Sequence, residues 1–209
     1  MKLYYSKGAA SLIVRIMIHE MNLACIFESV DLKTKITETG GDFLNITPKG
    51  YVPALKVDDK TILTETAVIL QYLADQQHAT ALLPELGNIN RYRVLEWANF
   101  VSTELHKNCA VLLNPNIHDA TKDILFNTGL KMKLNMVNDH LSKNQYLVQD
   151  QFTIADGYLF TVLFWLPHFL KIELSSWPHL VSYFLKLKNR SSIQAAFQEE
   201  IIEEIAEAI

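Results

Sequence analysis

The stretch Asn45–Ala74, NITPKGYVPALKVDDKTILTETAVILQYLA, decides the fold. Pro53 opens an apolar run, Pro53-Ala54-Leu55-Lys56-Val57, Asp58-Asp59-Lys60 forms a turn cluster, and Thr61-Ile62-Leu63 is a second short run. Two such runs about a turn suit a β-hairpin. From Ala67 to Leu73 the apolar positions switch to helical spacing. Thr64, Glu65 and Thr66 stand just ahead of that helix, where a side-chain hydroxyl can cap free backbone N–H groups.

Those N–H groups, with the positive end of the helix dipole, suit a carboxylate or phosphate. Glu65 beside them suits an ammonium group, so together they fit a ligand carrying both charges on one carbon, as an amino acid does. Val52-Pro53 adds a second contact. A cis X-Pro bond costs only about 0.5 to 1 kcal/mol, and at the head of a strand it turns the preceding N–H and C=O outward to pair with an extended peptide. The plainer alternative is an edge strand beginning with Pro and an ordinary capped helix.

Upstream, Lys2–Tyr5 reads as a strand, Ser6–Ala10 as a turn, and Ser11–Asn22 as a helix with Ser11 as its N-cap. Ile26–Leu32 is a second strand, and a strand-helix-strand order favours parallel pairing. After Gly40-Gly41 comes a short helix near Phe43-Leu44. The order to residue 76 is βαβαββα, an α/β domain that suits a thioredoxin-like sheet with helices on both faces.

Downstream, periodicity lapses through Gln77–Asn90, where Pro84 and Gly87 punctuate the chain. We therefore set a first domain at 1–78, a linker at 79–88 and an all-helical domain at 89–209. Arg91–Leu113, about Thr121–Leu141, Thr153–Leu170, Pro178–Leu187 and Ser191 onward read as its helices. Thr153-Ile154-Ala155-Asp156 fits a capping box, a structural role. Asn99, Thr103 and His106 step by four and three and so share one face, and Cys109 continues that stripe. Gln198–Ile209 reads as an acidic amphipathic helix whose apolar edge packs on its own chain or on a partner.

Composition narrows the function. With 49% apolar and 20% charged residues the 209-residue chain buries a sizeable core. Its net charge of −4 and scattered Lys and Arg give no support for nucleic acid. Cys25 and Cys109 form no C-x-x-C pair and the histidines show no metal-ligand spacing, so neither a disulfide framework nor a metal is expected. No apolar run approaches the roughly 20 residues that span a membrane, and polar residues by position 6 leave no signal-peptide core. A cytoplasmic protein is expected.

Pro48-Lys49-Gly50-Tyr51-Val52-Pro53-Ala54-Leu55, Leu63-Thr64-Glu65-Thr66 and Ile69-Leu70-Gln71-Tyr72-Leu73-Ala74 together resemble the glutathione-binding half of the glutathione S-transferases. The likeness extends through Phe152–Asp156 and covers essentially the whole chain. Thr103-Glu104-Leu105-His106-Lys107 makes it most similar to the bacterial beta class. The resemblance implies conjugation of glutathione, as co-substrate with no other cofactor, to small hydrophobic electrophiles in detoxification. It implies that Val52, beside Pro53, pairs with the peptide backbone, Glu65 with its amino group, Thr66 with its γ-glutamyl carboxylate and Lys35 with its glycine carboxylate. Asn99, Thr103, Glu104 and His106 would close the cleft from the helical domain. A homodimer is implied too, and Leu95, Trp97, Phe100, Val101 and Leu105 make the first helix of that domain apolar beyond one stripe.

The departure is at position 10. Beta-class members read Gly-Ala-Cys-Ser there, whereas this chain reads Gly8-Ala9-Ala10-Ser11. Redox relatives on this fold need that thiol for a mixed disulfide, but conjugation needs only glutathione's own sulfur as thiolate. Lowering a thiol pKa from about 8.5 to about 7 takes roughly 2 kcal/mol. A helix N-terminus supplies about 0.3 to 1, up to about 2 when partly buried, and a hydrogen bond to a charged atom about 1.5 to 3. Ser11, Tyr5 or His106 can donate that bond, and these are the candidate catalytic residues. The rival reading is a non-catalytic glutathione-transferase-like binding protein. Cys109 is expected in the core, because free Cys is among the most buried residue types.

Overall fold

The structure is a computed structural model that describes residues 1–202, which form two compact units, residues 80–189 and residues 1–79 together with 190–202.

The first unit is built on a sheet of β1 (Lys2–Tyr5), β2 (Ile26–Asp31), β3 (Ile36–Thr37), β4 (Ala54–Lys56) and β5 (Ile62–Thr64), in the order β3-β2-β1-β4-β5. β1 runs parallel to β2, with Leu3 opposite Phe27, and antiparallel to β4, with Leu3 opposite Leu55. The intervening α1 (Ser11–Glu20) makes the parallel crossover that the strand-helix-strand order predicts. β4 and β5 form the expected hairpin, closed by Asp58, whose Oδ1 accepts the Lys60 and Thr61 N–H groups at 2.8 Å each. β3 is an addition, because a two-residue strand carries no periodicity to read. The short helix near Phe43 is a single 3₁₀ turn, Phe43–Asn45, whose Leu44 N–H is accepted by Asp42 at 2.9 Å.

Strand alternation divides the core between two faces. Tyr4, Val30 and Ala54 cluster with Phe43, the Tyr4 and Phe43 rings 5.7 Å apart. The neighbouring positions Leu3 and Leu55 point the other way and are fully buried. α1 packs on β1 and on α2 (Thr66–Gln76), burying Leu12, Ile13, Ile16 and Met17 from the one helix and Ile69 and Leu70 from the other.

The second unit contains α3 (Ile89–Phe100), α4 (Lys107–Leu112), α5 (Asp119–Leu125), α6 (Lys131–Leu141), α7 (Ile154–Phe169) and α8 (Pro178–Lys188). The spacing predicts one helix where α3 and α4 lie and another where α5 and α6 lie, and each pair is continuous through a π-helical stretch, Val101–His106 and Phe126–Leu130. Both stretches carry side chains that donate to the carbonyl four residues back. Thr103 bonds Asn99 at 3.1 Å, Asn127 bonds Asp123 at 2.8 Å and Thr128 bonds Ile124 at 2.7 Å. Such bonds compete with the backbone ladder and favour a widened turn.

α7 is buried on every side from Ile154 to Pro167. The Thr153–Asp156 capping box starts it as expected, and Asp156 does more. Its carboxylate accepts from Thr153 N–H at 2.9 Å and Thr153 Oγ1 at 2.7 Å, from Leu147 N–H at 2.9 Å and from the Tyr183 hydroxyl of α8 at 2.7 Å. Burial pushes this carboxyl's pKa up and the four donors hold it back.

The helix after α8, α9 (Ser191–Glu199), packs on α1 of the first unit, whereas the sequence pattern counts it with the all-helical domain. Its buried Ile193, Ala196 and Phe197 need an apolar partner, and α1 is buried from Ser11 to Ile18. Arg190 and Ser192 both bond Glu20 at the end of α1. The expected acidic helix from Gln198 does not run on from α9. That helix ends at Glu199, and Ile201 takes a left-handed φ of 51°. The rest of that expectation, residues 203–209, lies outside the described residues. Among the described residues no helix is long and apolar enough to cross a membrane.

Replacing Asp156 by Ala leaves four buried donors without their acceptor, so we expect a loss on the order of 3 to 5 kcal/mol in urea unfolding. A loss under about 1 kcal/mol would show that the carboxylate does not organise the second unit.

Candidate functional site

In the first unit the Val52-Pro53 bond is cis. The hairpin register pairs Ala54 with Thr64, so Val52-Pro53 leads into the strand that pairs with the one leading into α2. That start is uncapped. Sequence spacing predicts a hydroxyl cap, but Glu65 occupies the cap position with φ 71° and makes no side-chain cap bond. Thr66 is the first helical residue, buried, while Thr64 Oγ1 accepts instead from Lys49 Nζ at 3.0 Å. The Glu65 carbonyl takes the Val68 and Ile69 N–H groups at 3.1 and 3.0 Å, and the Glu65 side chain makes no cap bond to the amides ahead of them.

A left-handed backbone at a residue bearing a Cβ costs of order 1 to 3 kcal/mol, and such strain concentrates where geometry is used. Here it leaves the Glu65 carboxylate exposed beside the helix end, paired with Lys49 Nζ at 2.6 Å. Lys49 is the residue that sequence reasoning missed as a site residue. It supplies the ammonium group that the Glu65 carboxylate suits, and its place in Pro48-Lys49-Gly50, just ahead of Val52, was the available signal. Both side chains are more than half exposed, at 51% and 66%, so the pair is worth about 1 kcal/mol or less and yields readily to another cation. Lys35 is tied to the same loop: its Nζ donates to the Gly50 carbonyl at 2.9 Å and lies 5.6 Å from the Tyr51 ring centre. Gly50 has φ 63°, and a Cβ there would meet Leu44 at 3.0 Å, so the loop requires glycine. Lys35 and Glu65 are thus tied to one loop, Lys49–Pro53, which contains Val52 and Pro53, and Thr66 follows Glu65 as the first residue of α2.

At the start of α1 the expected N-cap is corrected. Ala10 holds that position in helical conformation, and Ser11 is the first helical residue, fully buried. Ser11 Oγ turns back, accepting the Ser6 N–H at 3.1 Å and donating to the Ser6 carbonyl at 3.2 Å. Tyr5 is half-buried at the end of β1, with the Arg15 guanidinium 4.2 Å above its ring.

In the second unit the predicted stripe does not stay on one face. Asn99 and Thr103 are exposed, His106 is half-buried and Cys109 is fully buried, because the π-helical stretch puts more residues into each turn. Glu104 pairs with Lys133 of α6 at 2.5 Å. His106 Nδ1 lies 2.8 Å from the Tyr158 hydroxyl and its ring packs edge-on at 4.7 Å from Trp165, both on α7. Burial pushes the Cys109 thiol up to about 12, so it carries no thiolate at neutral pH. Among the described residues no group of three or more His, Cys, Asp or Glu side chains is placed to hold a metal ion.

Known proteins share this fold. A family model for the glutathione S-transferase N-terminal domain matches residues 9–76, and one for the glutathione S-transferase C-terminal domain matches residues 109–191. Glutathione S-transferase GstA of Escherichia coli O157:H7 is 39% identical over 200 residues, which are 96% of this chain and 98% of that protein. A sphingomonad glutathione S-transferase, solved in complex with glutathione, superposes with a TM-score of 0.91 at 35% identity over 97% of this chain and 100% of that one. A bacterial beta-class glutathione S-transferase from Sphingomonas chungbukensis gives a TM-score of 0.90 at 37% identity, covering 96% and 98% of the two chains.

Cys109 is expected to resist alkylation at pH 8 in the folded protein and to react after unfolding, read by mass spectrometry. After incubation with oxidised glutathione it should carry no adduct. An adduct on Cys109 with reductase turnover would show that the thiol absent at position 10 has been moved rather than lost.

Proposed function

This chain belongs to the glutathione S-transferase family, and on that footing we propose how it binds and activates glutathione. It is a transferase that joins the thiolate of glutathione to an electrophile. The thiol loses its proton, the sulfur lone pair forms a carbon–sulfur bond, and the leaving group departs with its electron pair or the added electrons are protonated. We take the electrophile to be small and hydrophobic.

The observation that carries the reading is the uncapped start of α2 at Glu65 beside the cis Val52-Pro53 bond. Val52 pairs with the extended peptide, Pro53 holds it open, and the free helix end with Thr66 takes the γ-glutamyl carboxylate. Glu65 takes the amino group, exchanging Lys49 for it. Lys35 takes the glycine carboxylate. From the helical unit, Asn99, Thr103, Glu104 and His106 are the proposed further contacts. We assign a glutathione-binding domain to residues 1–78, a linker to 79–88 and the helical domain to 89–209, with α9 serving the first. A homodimer and a cytoplasmic setting complete the proposal. No observation favours the non-catalytic alternative.

For the thiol, the candidates differ in availability. Ser11 must give up its bond to the Ser6 carbonyl before it can donate, at about 0.5 to 1.5 kcal/mol, and it is fully buried. His106 already meets the Tyr158 hydroxyl through Nδ1. Tyr5, half-buried under the Arg15 guanidinium, is the leading donor.

Glu65→Ala should weaken glutathione binding by about 2 to 5 kcal/mol in calorimetry, as expected for one partner of a charge-paired contact. Equal affinity would remove Glu65 from the site. The conjugation rate should rise with pH through the bound thiol's pKa, and Tyr5→Phe should move that midpoint upward while Ser11→Ala moves it less. If neither moves it, the role passes to His106. Light scattering at micromolar concentration should return the mass of a dimer, and a monomer would contradict the assembly.

A further inference from the structure

We propose that Glu200, with Arg15, is a positioning residue for glutathione's thiol, holding the turn Ser6–Ser11 and the Tyr5 ring in place from the segment that follows α9. The proposal rests on the conjugating activity put forward above.

Glu200 lies 192 residues from Gly8, yet its Oε2 accepts the Gly8 N–H at 2.7 Å in a buried contact. Gly8 has φ 67°. Within the turn, Ala9 N–H and Ser11 Oγ both reach the Ser6 carbonyl. Glu200 anchors the same turn to a segment distant in sequence. The same segment holds Arg15. Arg15 Nη1 meets Glu199 Oε2 at 2.7 Å, and Nε lies 3.0 Å from Glu200 Oε1. The guanidinium is clamped between two rings, 4.2 Å from the centre of Tyr5 and 3.9 Å from that of Phe27. So one carboxylate fixes the backbone ahead of α1 and, through Arg15, the ring of the leading hydroxyl donor.

α9's ending serves this placement. Ile201 takes φ 51°, its N–H returning to Gln198 and that of Ile202 to Phe197 at 3.1 and 3.0 Å, which turns the chain straight after Glu200.

Stability alone does not account for the cluster. The side chains of Arg15 and Glu200 are 3% and 0% exposed, yet among the described residues Arg15 Nη2 and Glu200 Oε1 have no hydrogen-bond partner, the 3.0 Å approach of Nε to Oε1 being out of line for one. A buried ion pair left unsatisfied is a weak stabiliser, and apolar side chains of similar volume commonly do as well or better. What apolar side chains cannot do is accept the Gly8 N–H.

The test is the pH profile of conjugation, with affinity and stability measured alongside. Glu200→Ala should lower kcat/KM about tenfold or more through misplacement at the reacting sulfur, and should move the midpoint of the pH profile toward that of free glutathione. Its Kd for glutathione should change little, since the α2 start is untouched. Glu200→Gln keeps an oxygen for Gly8 and should recover most of the loss. A Glu200→Ala variant that melts earlier but keeps the wild-type pH midpoint and kcat/KM would make the residue merely structural and overturn the proposal. Should Glu200→Ala not fold, hydrogen exchange of the Gly8 amide in the wild type decides. Slow exchange supports the anchored turn, and exchange at the rate of an exposed amide overturns it. A wild type that binds and conjugates no glutathione would instead overturn the activity itself, and this role with it.

Discussion

Glu65 stands at the start of α2 in a left-handed conformation that its own Cβ opposes, and the binding half of the molecule depends on that constraint. An ordinary N-cap would close the helix end with its own hydroxyl. With φ 71° the residue instead gives its carbonyl to Val68 and Ile69, and its side chain makes no cap bond to the amides ahead of them. The β4–β5 hairpin carries the chain from Val52-Pro53 on one strand to Glu65 on the other, and Lys49 pairs with the Glu65 carboxylate, the group proposed above to take a ligand ammonium. The strain of order 1 to 3 kcal/mol is offset by the sheet core on either side, where each fully buried large apolar side chain contributes about 1.5 to 3 kcal/mol.

Much of this was legible in the chain because local chemistry and tertiary packing agree. Asp58 announces the hairpin by bonding two turn amides, Thr153 and Asp156 announce α7, and the apolar run of α1 announces a crossover helix. Where reading failed, a specific competing interaction won. Thr103, Asn127 and Thr128 bond carbonyls one turn back where the chain widens, so the stripe counted at ordinary helical spacing passes from exposed Asn99 and Thr103 to half-buried His106, while Cys109 lies in the core as its residue type led us to expect. Ser11 looked like a cap and is a brace for Ser6. Lys49 was passed over although it stands in Pro48-Lys49-Gly50 just ahead of Val52, because its pairing with Glu65 joins residues 16 apart in sequence and shows only in the fold. α9 follows the helical unit in sequence, but its apolar face packs on α1.

With Ala10 at the start of α1 and the Cys109 thiol pushed up to about 12 by burial, neither position supplies the protein thiolate that disulfide exchange needs. The nucleophile is then glutathione's own sulfur, and the protein's task reduces to lowering its pKa. The start of α1 and one donor suffice by magnitude, about 0.3 to 2 and about 1.5 to 3 kcal/mol against roughly 2 needed. Such small terms work only if donor and helix end are held in register. That is the task for which the buried contacts of Glu200 with the turn and of Arg15 with Glu200 and the Tyr5 ring are suited.

The most direct measurement is a titration of the thiolate absorbance of glutathione bound to the wild-type protein. We expect an apparent pKa near 7, well below the value of about 8.5 typical of a free thiol, with no mixed disulfide detected on the protein. A bound thiol that titrates as it does in free solution would contradict the claim that this chain, lacking the cysteine at position 10, activates glutathione itself.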